Sequence, residues 1–263
     1  MPYLILPSHR LHYQVENTAT DRPWLVFCNS LGTDLSMWEP QVASLARHFR
    51  ILRYDRRGHG LSTAPSTGCT LDELGNDLLQ LLDALGIERT HFCGLSIGGL
   101  IGQWLGINAA KRIDKIVVAA TAPKIGTAEA WSGRVDLVRS QGLKALLPGT
   151  RERWFSPEFA ATAPVTVNHF LKVFEATSVD AYVGCCIALS NADLGDQIGQ
   201  IPNQLLAIAG TSDSVCPPED VNQLSLKVPA GQYCSLPGRH LVSTESAQAF
   251  NKLLVDFFGT NFT

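Results

Sequence analysis

The chain has 263 residues, 45% of them hydrophobic, enough for a sizeable core in one large α/β domain or two small ones. A net charge of −3 gives no basic surface suited to nucleic acid or an anionic membrane. No apolar run approaches the length of a membrane span, and Met1-Pro2-Tyr3-Leu4 lacks the basic start of a signal peptide.

In chain order, residues 11–15 and 24–28 are predicted strands, the second an uninterrupted apolar run suited to a sheet covered on both faces. Residues 37–48 have a helical pattern, and 50–54 form another short strand. Thr70-Leu71-Asp72-Glu73 is a capping box, opening a helix with Leu71, Leu74, Leu78, Leu82 and Leu85 on one face and Gly86 just past its end. A strand running into Ser96 is followed by a helix, then by strands at 115–120, 204–210 and 232–236, and by a last helix over 244–258. Strands and helices alternating at this spacing imply βαβ units and a mostly parallel sheet flanked by helices.

One stretch breaks the alternation. Between about 123 and 200 the patterns are helical and no strand stands out. The expectation is a core formed by 1–122 and 201–263, with 123–200 as a helical cap over the sheet's C-terminal edge, where ligands bind in such sheets. The seven cysteines are an odd number, several lie in apolar stretches (Cys28, Cys93, Cys185, Cys186), and no spacing reads as a zinc site. Reduced thiols, no metal or organic cofactor and a cytoplasmic location are therefore expected. A homo-oligomer is compatible with the sequence, which does not address it.

The segment His91-Phe92-Cys93-Gly94-Leu95-Ser96-Ile97-Gly98-Gly99 carries G-x-S-x-G between a strand and a helix. A serine at so sharp a turn adopts a strained backbone and needs neighbours without side chains, which Gly94 and Gly98 supply. Its hydroxyl needs a base, and the base needs an orienting carboxylate. Two histidines follow Ser96 in the chain. His169 falls inside the helical stretch, whereas His240 lies in a loop directly after the last strand and is the candidate base. Asp213, in the loop leaving the 204–210 strand, is the candidate acid. Glu219 and Asp220 suit a helix start, and Asp193 and Asp196 fall at the wrong end of that strand. For the oxyanion, the backbone N–H of Ile97 and that of Leu31, in Asn29-Ser30-Leu31-Gly32, are the expected donors. The cluster Asp55-Arg56-Arg57-Gly58-His59-Gly60 reads as a glycine-shaped turn pinned by charged contacts rather than as a catalytic loop.

The whole chain resembles the α/β-hydrolase superfamily and, within it, the 3-oxoadipate enol-lactonases. The resemblance rests on Cys28-Asn29-Ser30-Leu31-Gly32-Thr33-Asp34, on Leu52 to Gly60, on Leu82 to Ile87 and on His91 to Ser96. It continues in Gly102-Gln103-Trp104-Leu105, in Arg153-Trp154-Phe155-Ser156-Pro157 and in Tyr182 to Cys186. Ile97 replaces a common methionine and Arg56 a common threonine. The resemblance implies an α/β-hydrolase fold and hydrolysis of an enol-lactone with an acetate arm to 3-oxoadipate, in the β-ketoadipate pathway of aromatic catabolism. A small anionic lactone wants a cationic pocket under the cap. Arg134, one turn from Trp131, is the first candidate for the carboxylate, with Trp131 and Trp154 as walls. The same triad and cap also serve carboxylesterases, perhydrolases and carbon–carbon bond hydrolases, and a non-catalytic ligand-binding protein is the reading from a different class. Hydrolases with an aspartate nucleophile are disfavoured by Ser96.

Overall fold

A computed structural model of the chain describes residues 2–17, 21–65 and 68–259. Eight strands form its sheet: β1 (Tyr3–Ile5), β2 (Arg10–Glu16), β3 (Trp24–Cys28), β4 (Arg50–Tyr54), β5 (Thr90–Leu95), β6 (Ile113–Ala119), β7 (Gln204–Gly210) and β8 (Gly231–Leu236). Their spatial order is β1-β2-β4-β3-β5-β6-β7-β8. β1 pairs antiparallel with β2, and β2 antiparallel with β4, while every pair from β4 to β8 is parallel. The central strands read as apolar runs because helices cover both faces: all six residues of β5 are buried.

The helices of the core are α1 (Glu39–Leu45), α2 (Leu71–Ala84) and α3 (Ile97–Asn108) before the break in the alternation. The insertion between β6 and β7 contributes α4 (Ala128–Gln141), α5 (Leu147–Trp154), α6 (Pro157–Thr162), α7 (Pro164–Ala176) and α8 (Val179–Asn191). Residues 123–200 contain no strand. After it come α9 (Pro218–Lys227), α10 (Val242–Glu245) and α11 (Ala247–Phe258). Local signals explain several boundaries. Thr70 and Glu73 close the capping box at the start of α2, which buries Leu74, Leu78, Leu81 and Leu82. Within the insertion, Thr127, Ser156 and Ser178 cap α4, α6 and α8, and proline opens α5, α6 and α7. No single helix among the described residues is long and apolar enough to cross a membrane, and α7 with α8 meet that test together only across a 93° bend.

Three elements differ from expectation. The predicted helix over 37–48 begins as a 3-10 turn capped by Asp34, and α1 then runs only to Leu45. The predicted last helix is broken at Ser246 into α10 and α11. β1 is a three-residue antiparallel edge that the sequence pattern does not announce.

The strand order sets where a site forms. β3 lies between β4 and β5 and is parallel to both: the chain passes from β3 to β4 on one side and returns to β5 on the other, which opens a crevice at the C-terminal end of β3. The register places Cys28 beside Gly94, and Gly210 beside Leu236. The loop at 29–32 thus starts level with the Ser96 turn, and the loops carrying Asp213 and His240 leave neighbouring strand ends together.

Candidate active site

Ser96 sits between β5 and α3 with φ 60° and ψ −120°. A non-glycine residue in this region carries roughly 1–3 kcal/mol of strain, so the surroundings must hold it. They do so from three sides. The Ser96 N–H donates to the Ala119 carbonyl at 2.9 Å, and its own carbonyl accepts from Thr121 Oγ1 and from the Leu100 N–H, both at 2.9 Å. The two motif glycines are there because the chain crosses itself: a Cβ on Gly94 would stand 2.2 Å from the Gly98 carbonyl oxygen, and one on Gly98 would stand 2.3 Å from that of Cys28. Packing so tight brings β3 and its following loop against the start of α3. Ile97 is the first residue of α3, so its N–H has no acceptor within the helix. Leu31 lines the same pocket as Ser96.

His240 and Asp213 meet at the neighbouring strand ends. His240 Nδ1 lies 2.9 Å from Asp213 Oδ2, and both side chains are almost wholly buried. Asp213 Oδ1 accepts from the N–H groups of Val215 and Cys216 at 2.8 and 3.2 Å, which fixes the carboxylate's direction. Since Oδ2 can only accept here, Nδ1 carries the hydrogen and Nε2 is left as the basic nitrogen. Cys216 Sγ shares this corner, its ligating atom within 4.8 Å of those of Asp213 and His240. The trio is poorly disposed to a metal. The carboxylate and imidazole already bond each other, and burial, with Asp213 and Asp220 adding to it, pushes the Cys216 thiol well up and keeps it neutral.

The base is fastened to the insertion by backbone. The N–H groups of His240 and Leu241 donate to the carbonyls of Arg153 and Trp154, at 3.3 and 3.2 Å. Arg239 reaches from the same loop to the carbonyls of Glu152 and Phe155. Glu245 on α10 accepts from the Arg239 N–H at 2.6 Å with one oxygen, and from the Ser156 N–H and hydroxyl at 2.9 and 2.5 Å with the other.

One pocket brings together Ser96, His240, Ser30 and Leu31 of the core with Trp131, Arg134, Arg153, Trp154, Phe174 and Tyr182 of the insertion. Its wall is aromatic: Trp154 meets Phe174 edge-on at 5.5 Å, and Phe174 meets Tyr182 at 5.4 Å. Arg134 donates to the Tyr182 hydroxyl at 3.0 Å and lies 5.4 Å over the Trp131 ring. Burial pushes the Tyr182 phenol up to about 12, so it stays protonated. Arg153 is held below the usual guanidinium range by burial and by the charge of Arg134. Neither arginine forms an ion pair with a carboxylate among the described residues, whereas Arg53 and Arg57 in the core each have two.

The expected site residues Ser96, Asp213, His240, Leu31, Ile97, Trp131, Arg134 and Trp154 thus fall in one region. The competing residues lie elsewhere. His169 bonds the Ser36 hydroxyl on the exposed outer side of α7. His59 is fully buried, bonded to the Arg57 carbonyl and pushed down to about 3 by burial. Asp193 pairs with Lys124, and Glu219 and Asp220 occupy the first turn of α9. The local sequence does not single out Tyr182, the strap formed by Arg239 and Glu245, or Arg153 as a second pocket cation. A phenol on a helix and an acid in the short helix after His240 carry no local signal. Only the folded contacts select them.

The profile of the alpha/beta hydrolase fold family matches residues 23–171. The chain is similar to two proteins of Acinetobacter baylyi. It is 41% identical to 3-oxoadipate enol-lactonase 2 over 88% of this chain and 86% of that one, and 38% identical to 3-oxoadipate enol-lactonase 1 over 92% and 90%. Its fold is similar to the crystal structure of the enol-lactonase from Burkholderia xenovorans LB400, with a TM-score of 0.95, 40% identity and coverage of 98% of this chain and 99% of the other. A serine held at φ 60° between β5 and α3, a mostly parallel eight-stranded sheet and these likenesses lead to one conclusion: the chain belongs to the alpha/beta hydrolase fold family, in the branch of the 3-oxoadipate enol-lactonases.

Proposed function

We propose that this chain is a 3-oxoadipate enol-lactonase, opening the enol-lactone with water to give 3-oxoadipate, in the β-ketoadipate pathway of aromatic catabolism. The observation that carries the reading is a single pocket in which Ser96 and His240 share walls with Arg134 and Arg153, which form no ion pair with a carboxylate among the described residues. A neutral ester would need the first pair alone. A lactone with a carboxylate arm uses both.

In this mechanism Ser96 Oγ attacks the lactone carbonyl while His240 Nε2 takes its proton. Asp213 keeps the imidazole oriented and stabilises its cation. The backbone N–H groups of Leu31 and Ile97 bind the oxyanion of the tetrahedral intermediate. The enolate leaves, is protonated by His240 and tautomerises to the ketone, which makes ring opening hard to reverse. Water activated by His240 then releases the acyl group from Ser96. Arg134 and Arg153 hold the carboxylate arm, and Trp131 and Trp154 wall the ring. The residues named come from one chain, so a homo-oligomer is compatible with the mechanism without being needed by it. No cofactor, nucleic acid or membrane takes part. Seven cysteines without a disulfide support placement in the reducing cytoplasm.

The test follows the loss of the enol-lactone's ultraviolet absorbance with wild-type protein beside Ser96→Ala. Rapid loss with wild type and a fall of at least about 1,000-fold in kcat for the variant are expected. A wild type that leaves the lactone intact while cleaving an aryl ester would remove the substrate assignment. A variant as fast as wild type would remove the serine mechanism.

A further inference from the structure

Outside the pocket, a buried cation stands without a carboxylate. Arg56 is 1% exposed, donates to the Ser30 carbonyl at 2.6 Å, and points Nη1 at the Cys185 sulfur 3.7 Å away. It forms no ion pair among the described residues, although Arg53 and Arg57 on either side of it in the chain do. A guanidinium keeps its proton inside a protein, so its charge must be answered where it sits. The group placed to answer it is the Cys185 thiol, which as a thiolate would complete the pair.

A second thiol lies against the first. Cys69 Sγ is 3.9 Å from Cys185 Sγ, although the two residues are 116 apart in sequence. Cys185 belongs to α8 of the insertion, and Cys69 to the loop entering α2 of the core. Their approach is built into the backbone, since a Cβ on Gly184 would stand 3.1 Å from the Cα of Gly68. The groups facing Cys185 are Cys69 from that loop and Arg56 and Arg57 from the turn after β4. The bond from the Cys69 thiol, with the two arginines behind it, outweighs full burial and brings Cys185 down to about 7, while Cys69 is pushed up. The buried thiols of Cys28, Cys93, Cys186 and Cys216 are all pushed up by burial and behave as small hydrophobes.

We propose that Cys185 and Cys69 form an oxidisable dithiol, a modification site that takes a hydroperoxide as co-reactant and closes into a disulfide tying α8 to the core. The oxidant enters from the side of Cys69, which is 9% exposed, whereas Cys185 is fully covered. The Cys185 thiolate attacks a peroxide oxygen. The O–O bond breaks, hydroxide leaves and is protonated to water, and Cys185 becomes a sulfenic acid. The Cys69 sulfur then attacks the Cys185 sulfur, the S–O bond breaks, and a second water departs with the Cys69 proton. Two thiols and one hydrogen peroxide give one disulfide and two waters.

The experiment treats reduced, folded full-length protein with hydrogen peroxide, then alkylates, digests without reductant and maps linked peptides by mass spectrometry. Because Cys186 adjoins Cys185, Cys186→Ser is run beside wild type, with Cys69→Ser and Cys185→Ser as the two deletions. Wild type and Cys186→Ser should each lose two hydrogen atoms and yield a linked pair of peptides containing positions 69 and 185, reversed by dithiothreitol. Neither deletion should yield it. A wild type that forms no such link in the folded state, or a link between these peptides that persists in Cys185→Ser, overturns the proposal.

Discussion

Arg134 and Arg153 place two positive charges on one aromatic-walled pocket, and the local charges do not cancel them. Burial and the charge of Arg134 lower the affinity of Arg153 for its proton, and the repulsion between the two guanidiniums is relieved when an anion enters. A charge-assisted hydrogen bond to a carboxylate contributes about 1.5–3 kcal/mol. Arg134→Met and Arg153→Met should therefore each raise KM for the anionic lactone by about 10- to 100-fold while changing turnover of a neutral aryl acetate much less. Steady-state kinetics on both substrates decide it, and a parallel rise for the neutral ester would reduce the arginines to wall packing. The double variant should lose less than the product of the single losses, because the two guanidiniums act on one carboxylate. At this scale the sequence was uneven. Ser96, Gly94 and Gly98 announce themselves, because a strained turn needs those residue types whatever else surrounds it. Arg153 does not. Five cations lie between 134 and 153, and which two of them line the pocket depends on how five helices pack.

At the scale of elements, the decisive contact joins the end of α5 to the loop after β8. Two backbone hydrogen bonds run from His240 and Leu241 to Arg153 and Trp154, so base and pocket wall share one strap. Glu245 locks it from α10 by accepting three hydrogen bonds, two from Ser156 at the start of α6 and one from Arg239 beside the base. Glu245→Ala should loosen both ends of the strap. Because Glu245 is half-buried, we discount each lost bond for solvent and expect a drop in kcat of about 10-fold with a smaller rise in KM. Glu245→Gln, which keeps an acceptor for Arg239 or for Ser156 but not the full charge, should fall between the two. Equal kcat in all three proteins would show that His240 is held without the strap. The main alternation of strands and helices was legible because covered parallel strands are apolar throughout and α2 carries its own capping box. The short β1 and the break at Ser246 were not. A three-residue edge is too short for a period, and the break rests on the backbone of Ser246 alone, at φ −109° and ψ 40°, with no glycine or proline to mark it.

The whole molecule has a pH dependence that follows from what it buries. His59 is pushed down to about 3 and His91 to about 4, in both cases chiefly by burial, with Arg56 acting on the first and Lys115 and Arg89 on the second. Unfolded histidine takes up its proton near 6.5. Below that pH the unfolded chain binds protons that the folded chain refuses, so the stability present above 6.5 is lost as pH falls, down to about 4 for His91 and about 3 for His59. Well inside that window each histidine contributes a slope of about 1.4 kcal/mol per pH unit. Asp55 works the other way, since burial raises it above 3.8 and its protonation favours the folded chain, but only towards the acid end of the window. The stretch from pH 6.5 to 5 therefore reports the histidines. His91 stacks on Phe258 at 4.8 Å and meets Phe49 edge-on at 6.0 Å, so His91→Phe retains a ring in that packing and removes one titrating group. Unfolding by urea at pH 7, 6 and 5 should show wild type losing stability on acidification, and His91→Phe losing it with a slope smaller by about one proton, or about 1.4 kcal/mol per unit. If the two slopes coincide, His91 is protonated in the folded protein as readily as in the unfolded one, and its burial between Phe49 and Phe258 does not exclude the charge.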